Sequence, residues 1–561
     1  MPPAWVIVAC FVAAVAPLVL WLIVHHPDER HYTDAAIGML RTGDYITPKT
    51  PAGADRFNKP ILTYWAVAAS YHLLGVTPFA SRLPFLLTGC GIVYMTYLLG
   101  RLLGPGESAG RWAALIAAGN LQVIMSATRS IPDALLCLFT LISVYGLAAI
   151  VLFNRRTWLN YSAAYIGLGL AIASKGIPAA IVAAGVFAFA VWHLRDWRSM
   201  LRLVHWPTML LGAIIGGGWF AAVYGIHGPT AMSNFANDQV AARYQLEPLK
   251  IVLRSLLFFG WCVAALLPWL LPMTGDAIRR RAWPWRQDNH ALAVTQLVVC
   301  CTVVLGAATS LCDFVCARYV LPIVPLLAAW AGMLLARAEA AVVERWLRMI
   351  LYVATTVVIV AGAALTVVNV QLGFTQHAII ILGVFGLTAA WLIGREVWPR
   401  EATRVWSLGV LKLVAIPLAL LGLIHILLPD DSEIIAQQVL ARRDVADRSL
   451  LVVGKPSMAS QIRVQSHGRA MFDQIEYLDG TLHPEHDVVL VTNPATLDQV
   501  DLAEYAITSY PVGIGDVSER GVLKALLAGT LKSYLDGHRK QVTLGVRKTR
   551  TAAAGGQASQ R

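Results

Sequence analysis

The amino-acid sequence predicts an all-α polytopic membrane protein with a small α/β domain at its C-terminal end. Of its 561 residues, 57% are hydrophobic and 14% are charged, whereas soluble domains carry roughly a quarter charged residues. Apolar runs of about 17 to 24 residues recur along the chain, and this is the length that crosses a hydrocarbon core of about 30 Å. After Pro429 these runs give way to short strand-like segments, 449–455 and 487–493.

We predict thirteen membrane spans before residue 429. They are 4–24, 83–100, 112–127, 134–153, 158–174, 176–194, 203–224, 255–274, 291–311, 319–336, 349–372, 378–394 and 405–428. The first span is predicted to be a retained helix, because it lacks the basic leading region of a cleaved signal peptide.

Basic residues sort to one side of the predicted membrane. Seventeen arginines lie in loops that follow even-numbered spans, whereas the short loops after odd-numbered spans hold three basic residues. Because loops rich in Lys and Arg stay in the cytoplasm, the N-terminus is predicted to be cytoplasmic and the odd loops to lie outside. The three outer basic residues are Arg129, Lys175 and Arg318. The preference of basic residues for cytoplasmic loops does not explain these three. Basic residues near the outer membrane boundary indicate an anionic ligand.

Two long outer loops and the C-terminal region complete the predicted organisation. The first loop, 25–82, holds a short helix at Ala35–Arg41 and an amphipathic helix at Ile61–Leu74, which is predicted to lie on the membrane surface. The second loop, 225–254, is polar and predicted to be partly helical. The predicted domains are a membrane domain at 1–428, a small α/β periplasmic domain at 429–545 and a disordered tail at 546–561.

Charge and cysteine content exclude other classes. The formal net charge of +12 arises from the cytoplasmic loops, so no nucleic-acid partner is predicted. No cysteine follows Cys316, so the C-terminal domain has no disulfide framework. Cys312 and Cys316 are predicted to be free thiols, although their spacing also allows a local disulfide. No P-loop, HExxH motif or zinc-type Cys/His spacing occurs, and no metal ligand set is predicted.

Two outer features near the first span carry side chains suited to acid–base chemistry and to anion binding. Asp28 and Glu29 follow the span directly, and a carboxylate there can act as general base on an acceptor hydroxyl or amine. Lys59 precedes a proline, which holds its backbone extended, and its ammonium suits a phosphate. The alternatives are a solvated acidic loop and a lysine that snorkels to the interface.

Three further outer features point to the same chemistry. Arg129 and Asp133 flank "SIP", where an ion pair that closes the loop is the alternative to ligand binding. Lys175 is a single charge in an apolar turn, so a protein carboxylate or a ligand anion is expected beside it. Arg318 and Tyr319 begin the tenth span; Arg suits bidentate phosphate binding, and the Tyr hydroxyl adds a donor. Together these residues predict a site for a lipid-phosphate-linked substrate.

The sequence also resembles a known family. The first outer loop reads "DERHYTDAAIGMLRTGDYITPKTPAGADRFNKPILTYW", and "LGVTPFASRLP", "RSIPDALL", "SKGIP", "GGWF" and "RYVLPIVP" follow in order. This pattern resembles the bacterial aminoarabinose (lipid A) transferases and the protein O-mannosyltransferase-like glycosyltransferases. These are integral membrane enzymes of the GT-C fold, in glycosyltransferase families 83 and 39. The resemblance covers about residues 1–340.

The resemblance implies a donor, an acceptor class and a location. The donor is a polyprenyl-phosphate-linked sugar, and a monomeric, inverting enzyme transfers the sugar to lipid A or another envelope acceptor at the periplasmic face of the bacterial inner membrane. The implied catalytic residues are Asp28, Glu29 and Asp133, and the implied donor phosphate ligands are Lys59, Arg129, Lys175, Arg318 and Tyr319. His31, which stands where relatives often carry Arg, and Arg243 are assigned to acceptor binding or specificity. No cofactor follows with certainty, and the adjacent acids leave open a divalent ion beside Asp28 and Glu29.

Three alternatives remain at this point. A protein O-glycosyltransferase would use the same first loop. A lipid or solute transporter predicts broken helices and polar residues near the middle of the membrane, whereas the charges here cluster at outer helix ends. A non-catalytic membrane scaffold leaves Lys175 and Arg318 unexplained.

Overall fold

The computed structural model describes most of the chain in two compact units. The described residues are 2–21, 28–239, 246–282, 288–373, 378–383, isolated positions between 386 and 445, and then 448–454, 456–468, 472–475, 480–514 and 519–548. The first unit takes its residues from 1–22 and 31–426, and the second from 23–30 and 427–561. The predicted span 405–428, most of 378–394 and the tail beyond residue 548 lie outside the described residues.

The first unit is built from helices. They are α1 (Ala4–Trp21), α2 (Glu29–Thr42), α3 (Leu62–Leu74), α4 (Pro78–Leu103), α5 (Glu107–Ala118), α6 (Leu121–Ala127), α7 (Asp133–Phe153), α8 (Trp158–Lys175), α9 (Ile177–Leu194), α10 (Trp197–Met200), α11 (Trp206–Gln239), α12 (Pro248–Leu266), α13 (Leu270–Arg280), α14 (Asn289–Ser310), α15 (Val324–Arg337) and α16 (Ala340–Gln371). A 3₁₀ helix at Ala317–Ile323 leads into α15. Within the described residues, eight helices are long and apolar enough to cross a membrane, and α1 is a shorter apolar helix. The chain is therefore a multi-pass membrane protein.

A helix lies at each predicted span up to 349–372, but two spans are broken. The span predicted at 112–127 is divided into α5 and α6, because Asn120 caps the second helix by accepting a hydrogen bond from the Gln122 backbone at 2.9 Å. The span predicted at 255–274 is divided into α12 and α13, because Pro268 has no N–H with which to continue the first helix.

The first outer loop contains more helix than the sequence predicts. The short helix expected at Ala35–Arg41 begins already at Glu29 and ends at Thr42. The helix expected at Ile61–Leu74 is confirmed as α3. One face of α3 is buried, whereas Trp65 and Leu73 are exposed, and this amphipathic arrangement suits a helix at a membrane surface.

Helix α8 packs against α7 and α11 through positions that only glycine can occupy. A Cβ atom on Gly169 of α8 would lie 2.3 Å from the carbonyl oxygen of Gly212 on α11. A Cβ atom on Gly212 would lie 2.3 Å from the carbonyl oxygen of Tyr165. Small residues let membrane helices approach this closely. The close contact with α11 fixes the position of α8, and Lys175 is the last residue of that helix.

Gly169→Ala is expected to destabilise the protein by about 1–3 kcal/mol, because an overpacked contact forces the backbones apart. Thermal unfolding of the purified protein in detergent measures the effect. Gly217→Ala, on α11 with nothing within 4 Å of the added Cβ position, is the matched control and is expected to unfold like the wild type. Equal unfolding temperatures for the two variants would contradict the close contact of α8 with α11.

The second unit contains a five-stranded mixed sheet. Its strands are β1 (Leu450–Val453), β2 (Asp473–Ile475), β3 (Val488–Val491), β4 (Tyr505–Ile514) and β5 (Arg539–Arg547), in the order β2-β1-β3-β5-β4. β1 pairs in parallel with β2 and β3, and β5 is antiparallel to β3 and β4. The helices α17 (Pro456–Gln465), α18 (Glu519–Leu527) and α19 (Leu531–Asp536) accompany the sheet.

The two buried strands that the sequence predicts after Pro429 are confirmed as β1 and β3. Every residue of both strands is buried, and apolar clusters cover both faces, with Val452 and Leu490 on one and Val453 and Val491 on the other. A strand buried on both faces reads as a continuous apolar run. The small α/β part of the fold prediction is therefore confirmed.

Candidate active-site cleft

A cleft opens in the first unit where α7 begins and α8 ends. Its empty volume, including the open mouth, is about 930 Å³. The residues that line it are Lys59, Asp133, Leu136, Lys175, Ile177, Pro178, Ile181, Phe235, Leu305, Ala308, Thr309, Cys312, Asp313, Arg318, Tyr319 and Pro322. The cleft therefore contains five of the ten residues that the sequence assigns to the site.

The buried contact in this cleft is an ion pair between Asp133 and Lys175. Lys175 Nζ lies 2.5 Å from Asp133 Oδ1, and the two side chains are 14% and 6% exposed. Asp133 is the first residue of α7, where the helix dipole favours a carboxylate. Lys175 is the last residue of α8, and Gly176, at φ 79°, turns the chain directly into α9. The protein carboxylate expected beside Lys175 is thus Asp133.

Arg318 and Tyr319 reach the cleft from the 3₁₀ helix that precedes α15. Lys175 Nζ lies 5.6 Å from the centre of the Tyr319 ring, which is within the range of a cation–π contact. Tyr319 and Arg318 are half-buried, and the Tyr319 N–H donates to the Cys316 carbonyl at 2.9 Å. The geometry brings the cations of two distant segments to one wall of the cleft.

Lys59 enters the cleft from the segment of residues 44–58, which we term the lysine loop. Asp44 Oδ1 accepts hydrogen bonds from the backbones of Ile46 and Thr47, each at 3.0 Å. Burial acts to raise the pKa of the Asp44 carboxyl, but the hydrogen bonds from Thr47 and Ile46, with the charge of Lys49, bring that pKa below its ordinary value. The loop thus begins at an ionised carboxylate, which accepts hydrogen bonds from the N–H groups of Ile46 and Thr47.

The charge of the cleft favours an anion, and one wall favours an apolar group. Lys59, Lys175 and Arg318 stand against the carboxylates of Asp133 and Asp313. Three cations against two carboxylates leave the described lining with one excess positive charge, which favours an anionic ligand. Opposite them, α9 contributes Ile177 and Ile181, and α14 contributes Leu305 and Ala308. An amphiphile with a phosphate head and a hydrocarbon tail has this combination of properties.

Sequence reasoning missed Asp313 and the apolar wall. Asp313 lies between α14 and the 3₁₀ helix, in the same predicted outer loop as Arg318. The argument that selected Arg318 concerns basic residues on the outer side, so it passes over an acidic one. Its backbone carbonyl accepts a hydrogen bond from Arg254 Nη2 at 2.9 Å. Ile177 and Leu305 carry no such signal, because apolar residues in a membrane span are indistinguishable from those that face lipid.

The other predicted site residues lie elsewhere or outside the described chain. Arg129 is half-buried between α6 and α7, and the described lining of the cleft does not include it. His31 is half-buried on α2. Asp28 and Glu29 fall with the second unit, whereas α2 from His31 onwards falls with the first. Glu29 is 1% exposed. Arg243 lies outside the described residues.

The part of the chain that the structure describes contains neither a disulfide nor a cluster of metal ligands. Cys312, which lines the cleft, and Cys316 are not part of a disulfide among the described residues. Among the described residues, no group of three His, Cys, Asp or Glu side chains is placed to hold a metal ion.

The helical bundle, the cationic cleft at one end of it and the separate α/β unit define a polytopic membrane protein of the GT-C fold. The structure of ArnT from Cupriavidus metallidurans bound to undecaprenyl phosphate superposes with a TM-score of 0.70 at 17% sequence identity, over 96% of each chain. The apo structure of the same protein gives a TM-score of 0.65 at 17% identity, over 96% of this chain and 97% of that one. The predicted fold class is thereby confirmed.

Sequence comparisons point the same way. Residues 6–228 match the family model of dolichyl-phosphate-mannose-protein mannosyltransferases. The undecaprenyl phosphate-alpha-4-amino-4-deoxy-L-arabinose arabinosyl transferase of Aeromonas salmonicida is 25% identical over 395 residues, 69% of this chain and 70% of its own. An uncharacterized protein of Aquifex aeolicus is 28% identical over 221 residues, 39% of this chain. This chain spans 44% of that Aquifex protein. The resemblance that the sequence motifs indicate is therefore confirmed.

Proposed function

We propose that this protein is an integral membrane glycosyltransferase, which moves a sugar from a polyprenyl-phosphate donor to lipid A or another envelope acceptor. The proposal is carried by one observation. The cleft joins cations from three separate segments to an apolar wall formed by two membrane helices. A polyprenyl phosphate has a charged phosphate, which suits the cations, and a hydrocarbon chain, which suits the apolar wall. The names of the Aeromonas relative and of the undecaprenyl phosphate complex agree with this donor class.

The proposed reaction is a single displacement with inversion. An acceptor oxygen or nitrogen attacks the anomeric carbon of the sugar, the bond from that carbon to the phosphate oxygen breaks, and polyprenyl phosphate leaves with the bonding electrons. Lys59, Lys175 and Arg318 stabilise the charge that grows on the departing phosphate. Asp133 holds the Lys175 ammonium against the cleft wall, and Tyr319 adds a hydroxyl donor. Asp28 takes the proton of the acceptor, a role assigned from its position in the sequence alone.

The proposed orientation is the one that the basic loops predict. Asp133 begins α7 and Lys175 ends α8, whereas Arg155 and Arg156 lie at the opposite ends of the same two helices. With arginine-rich ends in the cytoplasm, the cleft faces the periplasm of a bacterial inner membrane. We also propose that the α/β domain lies in the periplasm and that the protein acts as a monomer. Strand β5 extends to Arg547, two residues beyond the boundary predicted at 545.

Protein is the second candidate acceptor class. The matched family model describes transfer of mannose to proteins, and the cleft chemistry for a polyprenyl-type phosphate would serve both acceptors. A transporter is disfavoured, because the titratable residues of the cleft lie at helix ends and not at broken helices in mid-membrane.

The experiment that tests the function compares envelope glycans with and without the protein. Mass spectrometry of lipid A, surface glycans and periplasmic proteins from a deletion strain is expected to show one missing sugar. Restoration of the sugar by the wild-type chain, and not by Lys175→Met produced at the same level, would assign the transfer to the cleft. Identical glycan profiles in the deletion and parent strains, under conditions in which the protein is produced, would contradict the proposal.

A further inference from the structure

The lysine loop is a compact unit, so its position as a whole determines where Lys59 lies. The Thr50 N–H donates to the Ala54 carbonyl at 2.8 Å, and the Arg56 N–H donates to the Pro48 carbonyl at 2.8 Å. These bonds close the loop on itself and leave Lys59 directly after its last residue. Something must then hold the loop to the bundle, since the internal bonds fix its shape and not its place.

The bundle holds the loop mainly through one stretch of α11, and Trp65 Nε1 on α3 adds a hydrogen bond to the Tyr45 carbonyl at 2.7 Å. Trp219 Nε1 donates a hydrogen bond to the Ile46 carbonyl at 2.9 Å. His227, two helical turns further along, contacts three loop residues. Its Nε2 is 3.0 Å from Thr47 Oγ1, its Nδ1 is 3.6 Å from Asp55 Oδ2, and its ring centre is 4.8 Å from that of Phe57.

His227 also lies directly before a bend in α11. Gly228, at φ 73°, interrupts the helical backbone of α11 immediately after it, a conformation that only glycine adopts at low cost. The part of α11 beyond the bend carries Phe235, which lines the cleft and packs against Phe220 with ring centres 5.3 Å apart. The same short segment therefore carries both the anchor of the lysine loop and a residue of the cleft wall.

We propose that His227 is a positioning residue for sugar transfer: its ring clamps Thr47, Asp55 and Phe57, and so holds the Lys59 ammonium at the cleft. The proposal deepens the proposed function and rests on it. The described lining of the cleft does not include His227, so its effect on transfer passes through Lys59. A displacement of about 1 Å in a binding group can cost roughly 100-fold in rate. Removal of the His227 ring takes away its contacts with Thr47, Asp55 and Phe57. The bonds of Trp219 and Trp65 remain at the start of the loop, so the part of the loop that leads to Lys59 gains freedom to move.

A double-mutant cycle tests the dependence on Lys59. His227→Ala is expected to lower kcat/KM for the polyprenyl-phosphate donor by roughly 10- to 100-fold, and Lys59→Met is expected to lower it at least as much. If His227 acts through Lys59, the double variant is no slower than Lys59→Met alone. Losses that multiply in the double variant would overturn the proposal, because His227 would then act independently of the lysine.

The chain offers a matched control and a conservative variant. His205 Nδ1 lies 3.0 Å from Thr208 Oγ1, and its ring stacks on Tyr161 with centres 4.5 Å apart, but it lies at the start of α11, away from the cleft. His205→Ala removes an equivalent ring and hydroxyl contact and is expected to keep wild-type kcat/KM. His227→Gln keeps a hydrogen-bonding side chain near Thr47 and is expected to recover part of the loss.

A second readout does not depend on activity. Hydrogen–deuterium exchange of residues 44–58 is expected to speed up in His227→Ala and to stay unchanged in His205→Ala, at equal thermal stability. Unchanged exchange in His227→Ala would overturn the proposal, and so would faster exchange with undiminished transfer. If the wild-type protein transfers no sugar at all, the proposed function fails. The role of His227 is then decided by the binding of undecaprenyl phosphate. His227→Ala is expected to weaken this binding in the chain that has Lys59 and to leave it unchanged in the Lys59→Met variant.

Discussion

Replacing Lys175 by methionine is expected to slow sugar transfer by roughly 10²–10³-fold, the usual loss when one electrostatic ligand of a transition state is removed. The same change is expected to destabilise the protein by about 3–5 kcal/mol, because it leaves the buried Asp133 carboxylate without this ammonium. The two side chains, 2.5 Å apart, are 14% and 6% exposed, so water compensates only in part for the missing ammonium. Transfer by purified protein and thermal unfolding in detergent give the two measurements.

The double variant Asp133→Asn, Lys175→Met separates the two effects. It removes both charges and keeps the side-chain volumes, so stability is expected to return towards that of the wild type. Transfer is expected to stay low, because the variant still lacks the Lys175 ammonium that we assign to the donor phosphate. A stable double variant with near-normal turnover would show that the pair is structural only, and the phosphate role of Lys175 would then be wrong.

The membrane helices follow from the sequence, because an apolar run of about 20 residues has few other stable states. The breaks within them do not follow as directly. In the predicted span 112–127, polar Asn120 interrupts the helix in a run that composition alone reads as continuous. The side chain of Asn120 also donates to the Ala265 carbonyl at 3.0 Å, a contact between residues 145 positions apart. The break is thus stabilised by tertiary structure.

The sequence predicts the basic residues of the cleft, but it does not predict which residues the fold brings together there. Lys175 and Arg318 stand out in the sequence because they violate the distribution of basic residues. The Lys175 partner could be narrowed to a carboxylate or a ligand, but only the fold brings Asp133 to it, across 42 positions. His227 gives no sequence signal, since its contact with Thr47 spans 180 positions and a lone histidine near a membrane boundary is unremarkable by composition.

Asp28→Asn is expected to lower kcat by roughly 10²–10⁴-fold, the contribution of a general base to proton transfer. The amide cannot accept the proton of the acceptor, whereas it is nearly isosteric with the carboxylate. The KM for the polyprenyl-phosphate donor and the unfolding temperature are expected to stay close to those of the wild type, because the variant retains Lys59 and Arg318. Transfer measured with saturating donor and varied acceptor gives the kcat directly.

Glu29→Gln is the control for Asp28→Asn, because it removes the charge of the neighbouring carboxylate. Glu29 is 1% exposed and opens α2, where a carboxylate favours the helix N-terminus, so this variant is expected to lose stability more than turnover. The pH profile adds a second criterion. If Asp28 is the base, the wild-type rate falls at low pH as its carboxylate takes up a proton, and that limb is absent from the residual activity of Asp28→Asn. Near-normal turnover in Asp28→Asn, or an unchanged acid limb, would transfer the role of base to another group and leave Asp28 as a residue of the outer loop.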